Sequence, residues 1–151
     1  MAFKNFSIWR GRLPHWRADD VTYYVTFRHR RALDEQECVD LLRALLKADG
    51  RTMEVQVVCV LPEATEMLFT MADGEKVPDL AKIVEGAKRR MGAKTVKRTG
   101  EMFAPFYNES YDRIVRDESE YEERFNAICQ SPVDLELCEA PDEYEGFWCR
   151  P

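Results

Sequence analysis

Apolar residues along this chain fall into strand and helix periods in turn. Residues 21–28 alternate, with Val21, Tyr23, Val25 and Phe27 on one side and Thr22, Tyr24, Thr26 and Arg28 on the other, the period of a strand. Residues 34–48 switch to helical spacing, Cys38, Leu41, Leu42, Leu45 and Leu46 making one stripe. Asp34 and Glu37 stand at capping-box spacing before it, and Asp49-Gly50 closes it. Residues 54–71 return to strand. A run from Val55 to Leu61 breaks at Pro62-Glu63, after which Thr65, Met67, Phe69 and Met71 alternate with Glu66, Leu68 and Thr70. Pro62 has no N–H for a ladder, so two strands joined by a turn are predicted. After a turn over 72–77, Leu80, Ile83, Val84 and Ala87 predict a second helix over 78–91, with Pro78 near its start. Residues 110–117 alternate again, Tyr111, Arg113 and Val115 against Asp112, Ile114 and Arg116. Tyr121, Phe125 and Ile128 predict a third helix over 118–129.

The ends differ from this core. Residues 7–20 are polar, with Gly11 and Pro14, and read as an extended arm; residues 133–151 read as an acidic, aromatic-containing tail. The 151 residues are sized for one domain: an arm over 1–20, a core over 21–132 and a tail over 133–151. No apolar run approaches the ~20 residues of a membrane span, and the first residues lack the apolar core of a signal peptide. Five cysteines without a CxxC pair point to free thiols in a reducing cytoplasm rather than to structural zinc. His15 and His29 are the only histidines, which excludes a histidine-rich metal site.

Charge is divided unevenly. The net charge is −6, but residues 1–100 carry 18 Lys/Arg against 14 Asp/Glu, and residues 101–151 carry 4 against 14. Candidate phosphate contacts lie in the basic part. On the arm, Arg10, Arg12, His15 and Trp16 interleave cations with an aromatic ring, a mix suited to phosphate contact and base stacking. Arg28 and Arg30 cluster at a strand end. Lys88, Arg89, Lys94, Lys97 and Arg98 run through and beyond the second helix, and Arg113 and Arg116 lie on the last strand. Each of these side chains also suits a merely solvated surface.

Several of these segments together resemble one family. Leu61-Pro62-Glu63 followed by Ala64-Thr65-Glu66, the words RLPHW at 12–16 and TYYVTFR at 22–28, SYDRIVRD at 110–117, and the close from Asp142 to Trp148 are similar to REP-associated tyrosine transposases of the HUH single-tyrosine class. The resemblance spans roughly residues 12–148. It implies an α+β, ferredoxin-like sandwich: an antiparallel sheet with helices packed on it, plus an extra C-terminal helix and tail. It also implies a partner, single-stranded or hairpin DNA, and a monomer or homodimer without membrane contact.

The family's chemistry is strand cleavage. A tyrosine hydroxyl attacks a phosphodiester while a divalent ion, magnesium or manganese, held by a His-x-His pair and a polar residue one turn past the tyrosine, neutralises the phosphate. Carried over, the first histidine becomes Ala64, the second Glu66, the nucleophile Ala127 and the later polar ligand Ser131. The resemblance therefore implies a DNA-binding frame with no catalytic residue and no metal or other cofactor. Two alternatives stand beside it. One is a rewired nuclease using Tyr107, Tyr111, Tyr121 or Cys129, with Glu66 and Asp112 on Mg²⁺. The other is a protein-interaction module whose acidic residues 139–148 fold over the old cleft.

Overall fold

The computed structural model describes residues 20–47, 49–50, 53–72, 80–107 and 110–151. Five strands and three helices follow the order β1 (Asp20–Arg28), α1 (Glu35–Leu46), β2 (Glu54–Val60), β3 (Ala64–Ala72), α2 (Leu80–Thr99), β4 (Tyr111–Val115), α3 (Glu118–Asp134), a 3₁₀ turn (Pro141–Glu143) and β5 (Phe147–Cys149). The strands form one sheet ordered β4-β1-β3-β2-β5, every pairing antiparallel. The first four strands and two helices make the ferredoxin-like pattern expected, with α3 and β5 added.

Both faces of the sheet are covered, which explains why β1 is apolar on one side yet buries residues of the other. Val25, Phe27, Val55, Val58, Met67 and Phe69 pack with α1 and α2. Tyr24, Val57, Cys59, Leu68 and Val115 pack with Tyr121, Phe125, Ile128 and Cys129 of α3. A register shift between Val55 and Val57 turns β2 so that its apolar run feeds both layers.

Three elements differ from their sequence-based expectations. The second helix runs to Thr99 rather than residue 91, because Val84, Ala87, Lys88, Met91 and Thr95 continue one buried stripe past Gly92. A Cβ on Gly92 would meet that of Ala104 at 2.8 Å, so the glycine lets the following loop lie against the helix. The third helix continues through Pro132 to Asp134. The spacing of Tyr121, Phe125, Ile128, Cys129 and Pro132 keeps burying one face, which offsets the hydrogen bond the proline lacks.

The third correction concerns the tail. Residues 147–149 are a strand paired with β2, Val57 opposite Cys149 and Cys59 opposite Phe147. The Tyr144 hydroxyl donates to the Val60 carbonyl at 2.7 Å, and the Val60 N–H donates to Gly146 O at 2.8 Å. This segment completes the sheet edge; β2 stands between it and the strand that carries Glu66. All five cysteines are free, and all but Cys138 are buried. Among the described residues no helix is long and apolar enough to cross a membrane.

Candidate functional site

Three of the four positions nominated by the sequence, Glu66, Ala127 and Ser131, meet where β3 faces α3. Ala64 and Glu66 lie two apart on β3, which puts both on one face of the sheet. On α3, Ala127 and Ser131 are one turn apart. The Ser131 Oγ lies 3.1 Å from Glu66 Oε2 and 2.9 Å from the Ala127 carbonyl. Ala127 itself is exposed and presents a methyl group. Thr65, between them, faces the other layer and bonds His29.

Electrostatics around Glu66 are those of a half-buried acid. Burial pushes its pKa up, and the Ser131 hydrogen bond and the Arg124 charge only partly oppose this. The Arg124 guanidinium lies 4.5 Å from the centre of the Tyr24 ring. Tyr24 is also held above its usual phenol range, first by burial and then by the negative Glu66. The donor set at this point is therefore one carboxylate with a raised pKa and one serine hydroxyl. That set does not fit a divalent ion, which takes several hard oxygen or nitrogen ligands. Among the described residues no three His, Cys, Asp or Glu side chains gather so as to hold a metal ion.

The substitute nucleophiles separate cleanly. Tyr121 is 1 % exposed and Cys129 is fully buried, both in the core under α3, so neither hydroxyl nor thiol reaches a phosphate. Tyr107 and Tyr111 are about half exposed. The Asp112 side chain falls outside the described ones.

The basic residues divide as well. Arg10, Arg12, His15 and Trp16 lie outside the described residues. Lys88 corrects an expectation: it is 3 % exposed, its ammonium donating to the Tyr107 carbonyl at 3.0 Å and lying 4.6 Å from the Phe27 ring centre. It is an internal support and not a phosphate contact. Arg98 is engaged by Asp34 at 2.9 Å and Glu37 at 3.4 Å, and Lys94 by Asp40 at 3.2 Å. Arg113 bonds Glu120 at 2.6 Å. Arg28, Arg30, Arg89, Lys97 and Arg116 remain exposed. Arg30 sits 5.4 Å from the Phe103 ring centre.

These cations do not all share a face. The α2 residues Arg89, Lys94, Lys97 and Arg98 belong to the layer opposite Glu66, whereas Arg28 pairs in register with Ala64 and points to the Glu66 side. His29 is no ligand. It is buried, its Nδ1–H donates to the Pro62 carbonyl at 2.8 Å and its Nε2 meets Thr65 Oγ1 at 2.9 Å, with burial lowering its pKa. Sequence reasoning missed Tyr24 and Arg124, because only α3 lying on the second face brings them to Glu66.

No family model matches the sequence, and no curated protein matches it. Among solved structures, the chain is similar to a REP-associated tyrosine transposase bound to a REP hairpin. The identity is 15 % and the TM-score 0.60, over 88 % of this chain and 79 % of that one. A protein assigned as a transposase from Deinococcus radiodurans R1 superposes with a TM-score of 0.49 and 17 % identity, over 83 % of this chain and 93 % of that one. The open antiparallel sheet with three helices is thus an α+β fold shared with the hairpin-bound transposase.

Proposed function

We propose that this chain is a transposase-like DNA-binding protein of the REP-associated tyrosine transposase type that holds hairpin or single-stranded DNA without cutting it. One observation carries the reading. Of the positions matched to the family's ligands and nucleophile, Glu66, Ser131 and Ala127 are joined by hydrogen bonds and Ala64 shares the sheet face of Glu66, yet the four offer two alanine methyls, a serine and one carboxylate. A phenol attacks phosphate poorly unless a cation neutralises the phosphate charge, and here neither a phenol at position 127 nor a cation-binding set accompanies the scaffold. On this reading the chain keeps the family's fold and lacks its nucleophile. The likeness of fold to a hairpin-bound transposase supports DNA as the partner.

The test is an anisotropy titration of the full chain against a labelled DNA hairpin across a salt series. Binding that weakens log-linearly with salt supports the reading, with a slope of roughly −0.7 to −0.9 per phosphate neutralised. Absence of binding at low salt overturns it. In that event the protein-interaction reading gains, since residues 101–151 carry 14 acidic against 4 basic side chains and α3 opens with Glu118, Glu120, Glu122 and Glu123.

A further inference from the structure

A groove of about 300 Å³ lies where the start of α1, the β2–β3 turn and the segment before β5 meet. Its apolar lining includes Pro62, Leu137 and the Tyr144 ring, and its charged lining is Glu35, Glu143 and Glu145. Backbone contacts hold the walls. The Leu33 N–H donates to the Pro62 carbonyl at 2.8 Å, and the Tyr144 hydroxyl to the Val60 carbonyl at 2.7 Å. Gly146 lets the Tyr144 ring lie close, since a Cβ there would meet it at 2.7 Å. After α3 the chain turns through Glu136 at φ 59°, a left-handed conformation uncommon outside glycine, and the Leu137 N–H donates to the Pro132 carbonyl at 2.9 Å. Beyond that turn Leu137 is 41 % exposed. The groove is preformed, so an occupant need not order its walls.

Its negative charge is not compensated. Glu35, Glu143 and Glu145 are exposed and make no ion pair among the described residues. Residues 133–145 hold six Asp/Glu and no Lys/Arg. Apolar surface beside free carboxylates suits a segment that mixes cations with aromatic rings. The chain carries such a segment ahead of β1: residues 3–10 read FKNFSIWR, with Phe3, Phe6 and Trp9 beside Lys4 and Arg10 and no acid. Chain length permits the meeting. β1 begins at Asp20, level with Ala72 at the end of β3, whereas the groove lies beyond the start of β3 at Ala64. The length of β3 and the strand spacings from β1 to β5 set the gap at about 30 Å. From Asp20 back to Arg10 the chain can span about 33 Å, so residues 3–10 reach the groove. A tethered segment has an effective concentration on the order of mM, so a weak site suffices to hold it.

We propose that this groove docks residues 3–10 of the same chain, their rings on the apolar lining and Lys4 and Arg10 on Glu35, Glu143 and Glu145. The carboxylates then stand where phosphates would, and DNA has to displace the segment before Arg10 is free to contact it. The groove is thus a latch that withholds a cationic arm. The docking stands without the DNA-binding reading above; the withholding rests on it.

The test applies carbodiimide coupling to the full chain, which joins an amine to a carboxylate only in direct contact. Lys4 is the one lysine ahead of β1. Peptide mapping is expected to find it joined to Glu35, Glu143 or Glu145, and within single chains when nitrogen-15-labelled and unlabelled protein are mixed. Trypsin cleavage after Arg10 gives a second readout. Glu143→Lys with Glu145→Lys should speed that cleavage by about twofold to thirtyfold, the range for two exposed ion pairs, with the melting temperature unchanged. No coupling of Lys4 to these carboxylates, or cleavage equally fast in both proteins, overturns the docking. Coupling only between chains overturns the same-chain latch and gives the groove to a second copy's arm. Saturating hairpin DNA is expected to abolish the coupling, and coupling that persists on the DNA-bound chain overturns the withholding. Failure of the wild-type chain to bind the hairpin overturns the DNA reading and the withholding with it, while coupling and cleavage still decide the docking.

Discussion

The Ser131 hydroxyl lies 3.1 Å from Glu66 Oε2, across 65 residues of sequence, and 2.9 Å from the Ala127 carbonyl one helical turn behind it. A serine has one proton to give. Either Ser131 donates to an ionised Glu66, or a protonated Glu66 donates to Ser131 and the serine proton goes to Ala127. In both states the three positions are satisfied by one another.

Glu66→Gln should change stability most at neutral and alkaline pH. The folded-state pKa of Glu66 is raised above its ordinary 4.5, so the folded chain holds that proton more tightly than the unfolded chain does. Its contribution is fully present below about 4.5 and is lost as pH rises through the folded value. Glutamine keeps the hydrogen bond without the buried charge. Urea melts should find the variant more stable at pH 8, by on the order of 1 kcal/mol, with the difference closing toward pH 4.

Arg31→Met should destabilise the fold and remove part of its acid sensitivity. Arg31 donates to both oxygens of the buried Glu37, at 2.9 and 2.7 Å, and also pairs with Glu101. Losing it leaves the buried Glu37 carboxylate with Arg98 at 3.4 Å as its nearest described cation and the Asp34 N–H at 2.9 Å as a donor. A cost of about 2–4 kcal/mol is expected, below that of a fully buried pair because Arg31 is partly exposed. Arg31 holds both carboxyls below their usual range, Glu101 at about 2. Wild-type stability should therefore fall as pH drops from about 4.5 toward 2, and the variant should show a shallower fall in denaturation midpoints.

Gly146→Ala should loosen the last strand. A Cβ there would lie 2.4 Å from the Val60 carbonyl and 2.7 Å from the Tyr144 ring, and neither backbone nor docked ring can move aside cheaply. A loss of about 1–3 kcal/mol is expected. Deleting residues 140–151 should cost more, since it exposes the β2 edge. Thermal melts of the two variants check the order.

Lys88→Met and Arg28→Ala should separate stability from binding. Lys88 is internal, so its loss should lower the melting temperature and leave the salt slope of DNA binding unchanged. Arg28 is exposed, so its loss should leave the melting temperature alone and reduce the salt slope by about one phosphate contact.

Much of this was legible in the chain. The alternation of β1, the capping box of α1 and the hairpin at Pro62 appear in the structure as the sequence predicts, with the Glu37 N–H donating to Asp34 at 2.8 Å. The pairing of positions 66 and 131 was legible only through resemblance, because no local period links residues so far apart. Helix ends were not. The helices predicted to close at 91 and 129 run on to Thr99 and Asp134, because Thr95 in one and Pro132 in the other continue a buried face. The identity of the basic surface was legible least. Whether Lys88 points inward and whether Arg98 finds an acid depend on which helix face meets the sheet, and composition does not fix that.

The central claim, a strand-transfer frame without its nucleophile, is tested most directly by denaturing electrophoresis. The full chain is incubated with end-labelled hairpin DNA carrying an unpaired tail, with Mg²⁺ or Mn²⁺, under conditions where anisotropy reports binding. The account predicts retained full-length DNA and no labelled protein band. A covalent protein–DNA adduct or a metal-dependent cleavage product, lost on changing Tyr107 or Tyr111 to Phe, would contradict it.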